Sequence, residues 1–336
     1  AGIVIMMLVS KFNYQRLRGL SVFALWGSIA LLFAVHIPGL GYAQGDAVRW
    51  LALPVIGQFQ PSELTKLGII LYFSAKLSKR ETKKKKKTYD TRKLSGRFLA
   101  FLDRIGFVEL CGYGLILLII VFALYLQNHM SATVLILVVA ASVLFAAGVK
   151  LGWFVAGGTL VVALLSFIIF NTDYMRGRID IWLDPWSDPR GSGFQAVQSL
   201  LAIGSGGLLG LGLGNSRQKF LYLPEEHNDF VFAIVCEELG FIGAALIIVL
   251  FALLILRGYW LAIHARDRFG ALMVVGITTL FAFQVFFNIG VVTGLLPVTG
   301  ISLPFFSYGG TALIIQMVEM GVVLSVSRQI PAPKAG

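Results

Sequence analysis

Two clusters of charged residues in an otherwise apolar chain have the types and spacing for chemistry. In LPEEHNDFVFAIVCEELG, Asp229 stands at the boundary between a polar stretch and a strongly apolar run. A carboxylate held at such an edge is a candidate general base, because desolvation raises its pKa toward neutrality. Asn228 or Asp229 capping the following helix is the plainer reading, and the residues alone leave both open. Arg49, Arg217 and Lys219 are cations available on the same side to bind an anionic group. In FQPSELTK, Pro61 suits the first turn of a helix, where a missing N–H costs nothing. Glu63 and Lys66 then fall three residues apart on one face. Such a pair at a helix end is commonly structural, yet at membrane depth an ionisable pair points to function. Glu237 and Glu238 follow Asp229 by about 80° and 180° around a helical wheel, so of the two only Glu237 approaches its face.

Membrane helices must position these residues. Of 336 residues, 57% are hydrophobic and 13% charged, and the mean hydropathy is +0.82. Those values exclude a soluble globule, a disordered chain and a nucleic-acid-binding architecture. Apolar runs bounded by charge or by Gly and Pro predict eight spans near 19–37, 63–77, 107–127, 132–148, 152–170, 230–256, 270–292 and 308–326. The opening run AGIVIMMLVS covers about 15 Å, half a bilayer, and reads as the end of a cut helix. The expected fold class is all-α: a polytopic integral membrane helical bundle forming a single transmembrane domain over residues 1–336. Within it, 78–106 is a basic cytoplasmic loop and 171–229 a large extracytoplasmic loop.

Threading the spans alternately places 21 of the 28 Lys and Arg on one side, led by the KKKKK run at 83–87. The positive-inside rule makes that side cytoplasmic. Nine of the 17 acids, Glu63 and Asp229 among them, then share the other side with the remaining 7 basic residues, so that side is close to neutral. The segment 194–214, FQAVQSLLAIGSGGLLGLGLG, is long enough to span, but a crossing there would send the basic RGYWLAIHARDR loop outside. It is therefore expected to be re-entrant or interfacial, its six glycines serving flexible backbone and close helix approach. There is no GxxxxGK[ST], HExxH or CxxC, the four histidines are scattered, and Cys111 and Cys236 fall in apolar stretches. No cofactor and no metal ligands are expected on these grounds, and assistance by a divalent metal is left open.

The run at 288–312, NIGVVTGLLPVTGISLPFFSYGGTA, matches the signature of the SEDS family, the shape, elongation, division and sporulation proteins FtsW, RodA and SpoVE. FQPSELTK, AIGSGGLLGLGLGNSRQKFLYLPE and DFVFAIVCEELGFIG resemble its other hallmarks, so the likeness covers essentially the whole chain. The SRQKFLYLPE wording resembles the FtsW/SpoVE branch rather than RodA. The resemblance implies a ten-helix bundle in the bacterial cytoplasmic membrane with both termini cytoplasmic, the first helix and part of the second lying outside this sequence. It implies a peptidoglycan glycosyltransferase that polymerises lipid II into glycan strands on the outer face and releases polyprenyl pyrophosphate. A class B penicillin-binding protein is the implied partner, alongside membrane lipids and without nucleic acid.

The same resemblance puts the catalytic acid on Asp229 and its supporting pair on Glu63 and Lys66. Arg49, Arg217 and Lys219 are then candidates to neutralise the leaving pyrophosphate. Ser307 and Tyr308, with Pro297 and Pro304 in the segment that shapes the outer mouth, are candidates to meet substrate. Two departures stand out: members commonly read His-Thr-Asp where this chain has His227-Asn228-Asp229, and QPD or QPH where it has Gln127-Asn128-His129. The second weakens any role for the turn at 127–131. The alternatives are a lipid II flippase and a non-catalytic scaffold for the transpeptidase.

Overall fold

The computed structural model describes residues 1–44, 47–53, 57–79, 106–171, 173–216, 229–307 and 310–330. Along them run α1 (Gly2–Lys11), α2 (Leu17–Ala34), β1 (Gly41–Gln44), β2 (Ala47–Leu53), β3 (Gly57–Phe59) and α3 (Pro61–Leu77). Then follow α4 (Phe107–Leu126), α5 (Met130–Ala146), α6 (Leu151–Asn171), α7 (Asp173–Leu183), α8 (Phe194–Gly206), α9 (Val231–Ile263), α10 (Arg268–Val292) and α11 (Gly310–Ser327). Each of the eight expected spans has its helix, with ends shifted by a few residues; α9 runs furthest beyond its expected end. Four helices among the described residues, Tyr14–Ala34, Val231–Ile263, Arg268–Val292 and Gly310–Ser327, are long and apolar enough to cross a membrane by length and composition. Most of the basic loop, 80–105, lies outside the described residues. The helical bundle carries one addition to the all-α expectation, a three-stranded antiparallel sheet in which Tyr42 pairs with Trp50 and Leu51 with Phe59.

Local chemistry sets the helix starts. Pro61 occupies the first turn of α3 behind an extended Gln60, as a residue without an N–H permits. Asp267 caps α10 by accepting from the Gly270 amide. Packing then places α3 and α10 at the centre. Leu67, Ile70 and Leu71 of α3 meet Met273, Val274 and Ile277 of α10 and Val322 and Val323 of α11. A second cluster joins α2, α3, α4 and α5 through Leu25, Phe73, Ile120 and Ile136. A third gathers Phe230, Phe232 and Ala233 at the start of α9 with Ala202 of α8, Val285 and Val292 of α10, and Leu303. By contrast, α6 and the later part of α9 leave Val155, Leu160, Phe241, Leu246 and Leu253 exposed, as helices facing hydrocarbon do.

α9 is broken. Gly240 has φ 65 and ψ −169, a conformation open to glycine and strained for any residue with a Cβ. The coil that follows α8 supplies the hydrogen bonds the break would otherwise forfeit. Leu211 N donates to Glu237 O at 2.9 Å and Gly212 N to Glu238 O at 3.0 Å, while Phe241 N and Ile242 N donate to Gly207 O and Leu208 O at 2.9 and 3.2 Å. The approach is backbone to backbone: a Cβ on Gly210 would fall 2.2 Å from Glu238 O. The segment 194–214 is thus a 13-residue helix, about 20 Å long and too short to span, followed by a glycine-rich strap laid across α9.

Candidate active site

α3 delivers the first constellation. Lys66 Nζ lies 2.7 Å from Glu63 Oε2, with the lysine side chain 2% and the glutamate 14% exposed. The i,i+3 spacing that put them on one face also closes the pair. From α11, Glu319 is buried, and the charged side chains facing it are Lys66 and Glu63. One ammonium therefore stands among two carboxyl groups in the interior. Glu319 is the single acid within α11, so the general cost of a charge in an apolar helix was the signal that could have singled it out.

Above this pair, the turn between α4 and α5 is braced from the sheet. Arg49 on β2 donates to the carbonyls of Gln127 (Nε, 3.4 Å) and Asn128 (Nη2, 2.6 Å). Gln127 in turn donates to Leu32 O at 2.8 Å, and Gln60 and His129 meet through their side-chain nitrogens at 3.5 Å. Burial, reinforced by the positive charges of Arg49 and Lys66, pushes the His129 imidazole down to about 3. It is a neutral ring at any physiological pH.

Asp229 sits where the third apolar cluster begins, immediately before α9. Its main-chain carbonyl accepts from Asn288 Nδ2 at 2.7 Å, and the same nitrogen donates to Ile301 O at 2.8 Å. Its carboxylate lies along the backbone of Gly300 (φ +69), where a Cβ would come 3.3 Å from Oδ2. The loop that supplies Gly300 is held from several sides. Ser199 of α8 donates to Val292 O at 2.8 Å, Trp182 of α7 to Gly294 O at 3.0 Å, and Ser131 of α5 to Thr299 O. On the far side, Thr311 of α11 donates to Gln58 O at 3.1 Å. Contacts thus run from Asp229 through 299–301 to Ser131 in the first turn of α5, two residues from His129, whose imidazole feels the charges of Arg49 and Lys66. Both constellations belong to one end of the bundle.

The remaining predicted positions distribute differently. Arg217, Lys219 and Tyr308 lie outside the described residues. Ser307 donates to Leu303 O at 3.0 Å, closing a turn before α11. Arg49, read from sequence as an anion-binding cation, holds the 127–128 turn. Glu237 is buried and accepts from Ser216 Oγ at 2.5 Å, tying the strap to the first half of α9. No group of three or more His, Cys, Asp or Glu among the described residues is placed to hold a metal ion. Sequence reading did not single out Asn288, Gly300 or Glu319 as site residues.

With that geometry in view, comparison with known proteins places the chain. The cell cycle protein family of FtsW, RodA and SpoVE matches over residues 1–331. "Probable peptidoglycan glycosyltransferase FtsW" of Geobacter sulfurreducens is 40% identical, covering 98% of this chain and 83% of its own. "Stage V sporulation protein E" of Bacillus subtilis is 39% identical, covering 97% of this chain and 84% of its own. Among solved structures, a chain from a peptidoglycan synthase complex that coordinates polymerization and crosslinking superposes with a TM-score of 0.76 at 30% identity, covering 98% of this chain and 87% of its own. The rod shape determining protein RodA of Thermus thermophilus gives 0.66 at 28% identity, covering 99% and 85%. The chain belongs to the FtsW/RodA/SpoVE family, and it is a multi-pass membrane protein.

Proposed function

We propose that this protein is a peptidoglycan glycosyltransferase of the bacterial cytoplasmic membrane, with its active site on the outer face, that polymerises lipid II. The observation that carries the reading is the Asp229 carboxylate laid against the Gly300 backbone, in a chain whose relatives are named as such enzymes. In the reaction, the 4-hydroxyl oxygen of the acceptor sugar forms a bond to the anomeric carbon of a lipid-linked donor. The bond from that carbon to the diphosphate breaks, polyprenyl pyrophosphate leaves, and Asp229 takes the hydroxyl proton as general base. A carboxylate within about 3 Å of the hydroxyl meets the geometric requirement for that transfer.

The buried Glu63–Lys66 pair sets the electrostatics behind the site, since a cation in a low-dielectric interior acts over a longer range than one in water. Arg217 and Lys219 are the cations proposed to meet the developing diphosphate charge. Arg49 already donates to two carbonyls, which favours a bracing role for it. A class B penicillin-binding protein is the proposed partner, supported by the likeness to a chain from a synthase complex that couples polymerization to crosslinking.

The test is polymerisation of purified lipid II in detergent, with and without the partner. Detergent separates polymerisation from flipping, which needs two leaflets. Wild type is expected to make glycan strands and Asp229→Asn to make them at least about 100-fold more slowly. Strands from Asp229→Asn at the wild-type rate would remove the catalytic assignment. Absence of strands from wild type with its partner present would favour the flippase or the scaffold.

A further inference from the structure

Asn288 lies near the end of α10, 1% exposed, and one atom of it does two things. Nδ2 stands 2.7 Å from the carbonyl oxygen of Asp229 and 2.8 Å from that of Ile301. Two acceptors require two hydrogens on a single donor atom, and a carboxamide NH2 supplies them. A carboxylate of the same shape would set oxygen against oxygen, and an alanine would deprive both carbonyls of this donor, the Ile301 one in a buried setting. The two residues joined are not arbitrary. Asp229 carries the carboxylate, and Ile301 immediately follows the glycine on whose backbone that carboxylate rests. The same loop is fixed at Val292, Gly294 and Thr299 by donors from three other helices, so Asn288 anchors Asp229 to a segment that is itself anchored.

We propose that Asn288 is a positioning residue for Asp229, setting the distance between its carboxylate and the 299–301 backbone; the proposal rests on Asp229 being the base. Displacing a catalytic group by about 1 Å costs on the order of 100-fold in rate. Gly300 forms the other side of the same arrangement, and a Cβ there would press on the carboxylate at a backbone angle strained for L side chains.

The experiment compares Asn288→Asp, Asn288→Ala and Gly300→Ala with wild type in full-length protein purified in detergent, reading kcat and KM for lipid II per folded protein and amide hydrogen exchange. Asn288→Asp is expected to lose about 100-fold in kcat with KM within about twofold, since substrate binding does not pass through this amide. Exchange should quicken in the peptides covering 229–233 and 299–303 and stay unchanged in α2 and α3. Gly300→Ala should lower kcat with little change in exchange at 229–233. A wild-type kcat in Asn288→Asp and Asn288→Ala overturns the proposal, as does a loss accounted for wholly by unfolded protein. If instead Asp229→Asn polymerises normally, the base reading fails, while the exchange data still report whether Asn288 holds the two segments together.

Discussion

The two ends of the bundle treat buried polar groups in opposite ways. At the end bearing Tyr14, polar groups close on one another. Asp267 accepts from the Tyr14 hydroxyl at 2.5 Å and from the Gly270 amide at 3.3 Å, and pairs with Arg18 at 3.6 Å. Burial works against ionisation of the Asp267 carboxyl, but the Tyr14 hydroxyl, Gln15, the Gly270 amide and Arg18 outweigh it and hold the group below its ordinary range. Ser325 donates to Phe12 O and Arg268 to Ala147 O. At the end bearing Asp229, buried atoms of Ser62, Gln127, His129, Asn288 and Thr299 find no hydrogen-bond partner among the described residues. Arg18 Nε and Ser74 Oγ are the exceptions at the Tyr14 end among the described residues. A buried polar atom without a partner costs on the order of 1–3 kcal/mol. The Tyr14 end is built to hold helices together, whereas the Asp229 end keeps polar capacity in hand, as a site for a sugar substrate requires.

Substitutions at the two ends should separate activity from stability. The largest effect is expected from Asp229→Asn, with a loss of about 100-fold to 10,000-fold in polymerisation and an unchanged thermal midpoint in detergent. Lys66→Met should come next, because it leaves the partly exposed Glu63 and the buried Glu319 without their cation. The expected cost is about 3–5 kcal/mol, read as a lowered midpoint together with lost activity.

His129 gives a pH signature. Its folded pKa of about 3 lies below the ordinary value of about 6.5, so in that window the unfolded chain takes up a proton that the folded chain refuses. Stability should therefore fall as pH drops from about 6.5 toward 3, and His129→Gln should show a shallower fall in midpoint between pH 7 and pH 5. The smallest effect belongs to the other end: Tyr14→Phe should cost about 1.5 kcal/mol and leave kcat unchanged. If Tyr14→Phe cut activity as deeply as Asp229→Asn, the contrast between the two ends would collapse.

Much of this arrangement was legible in the sequence, and the rest was hidden for physical reasons. Apolar runs of near-bilayer length identified the spans because each helix must meet its own backbone needs within hydrocarbon. Pro61 marked the start of α3 and, with it, the facing of Glu63 and Lys66. The break at Gly240 was not visible, since a glycine within an apolar run reads as an ordinary helical residue. What makes it a break is a partner some thirty residues earlier in the chain, the strap from Gly207 to Gly212. Asn288 was concealed likewise, because its two acceptors come from Asp229 and Ile301, which only the tertiary fold brings together. Arg49 shows the converse: its charge suggested a ligand, and its position on β2 gives it main-chain carbonyls. The small sheet that carries it followed no pattern as strong as the spans around it.

The splice at Gly240 has a mechanical consequence. A straight helix of 33 residues would be about 50 Å long, well beyond the roughly 30 Å hydrocarbon thickness, and would have to tilt as bilayers thin or thicken. Because the strap bonds to Glu237 and Glu238 on one side of the break and to Phe241 and Ile242 on the other, the 231–239 and 241–263 portions can run in different directions with their main-chain groups still met. Any residue with a Cβ at 240 would have to give up that bend, since the Cβ would fall 2.3 Å from Gly210 N.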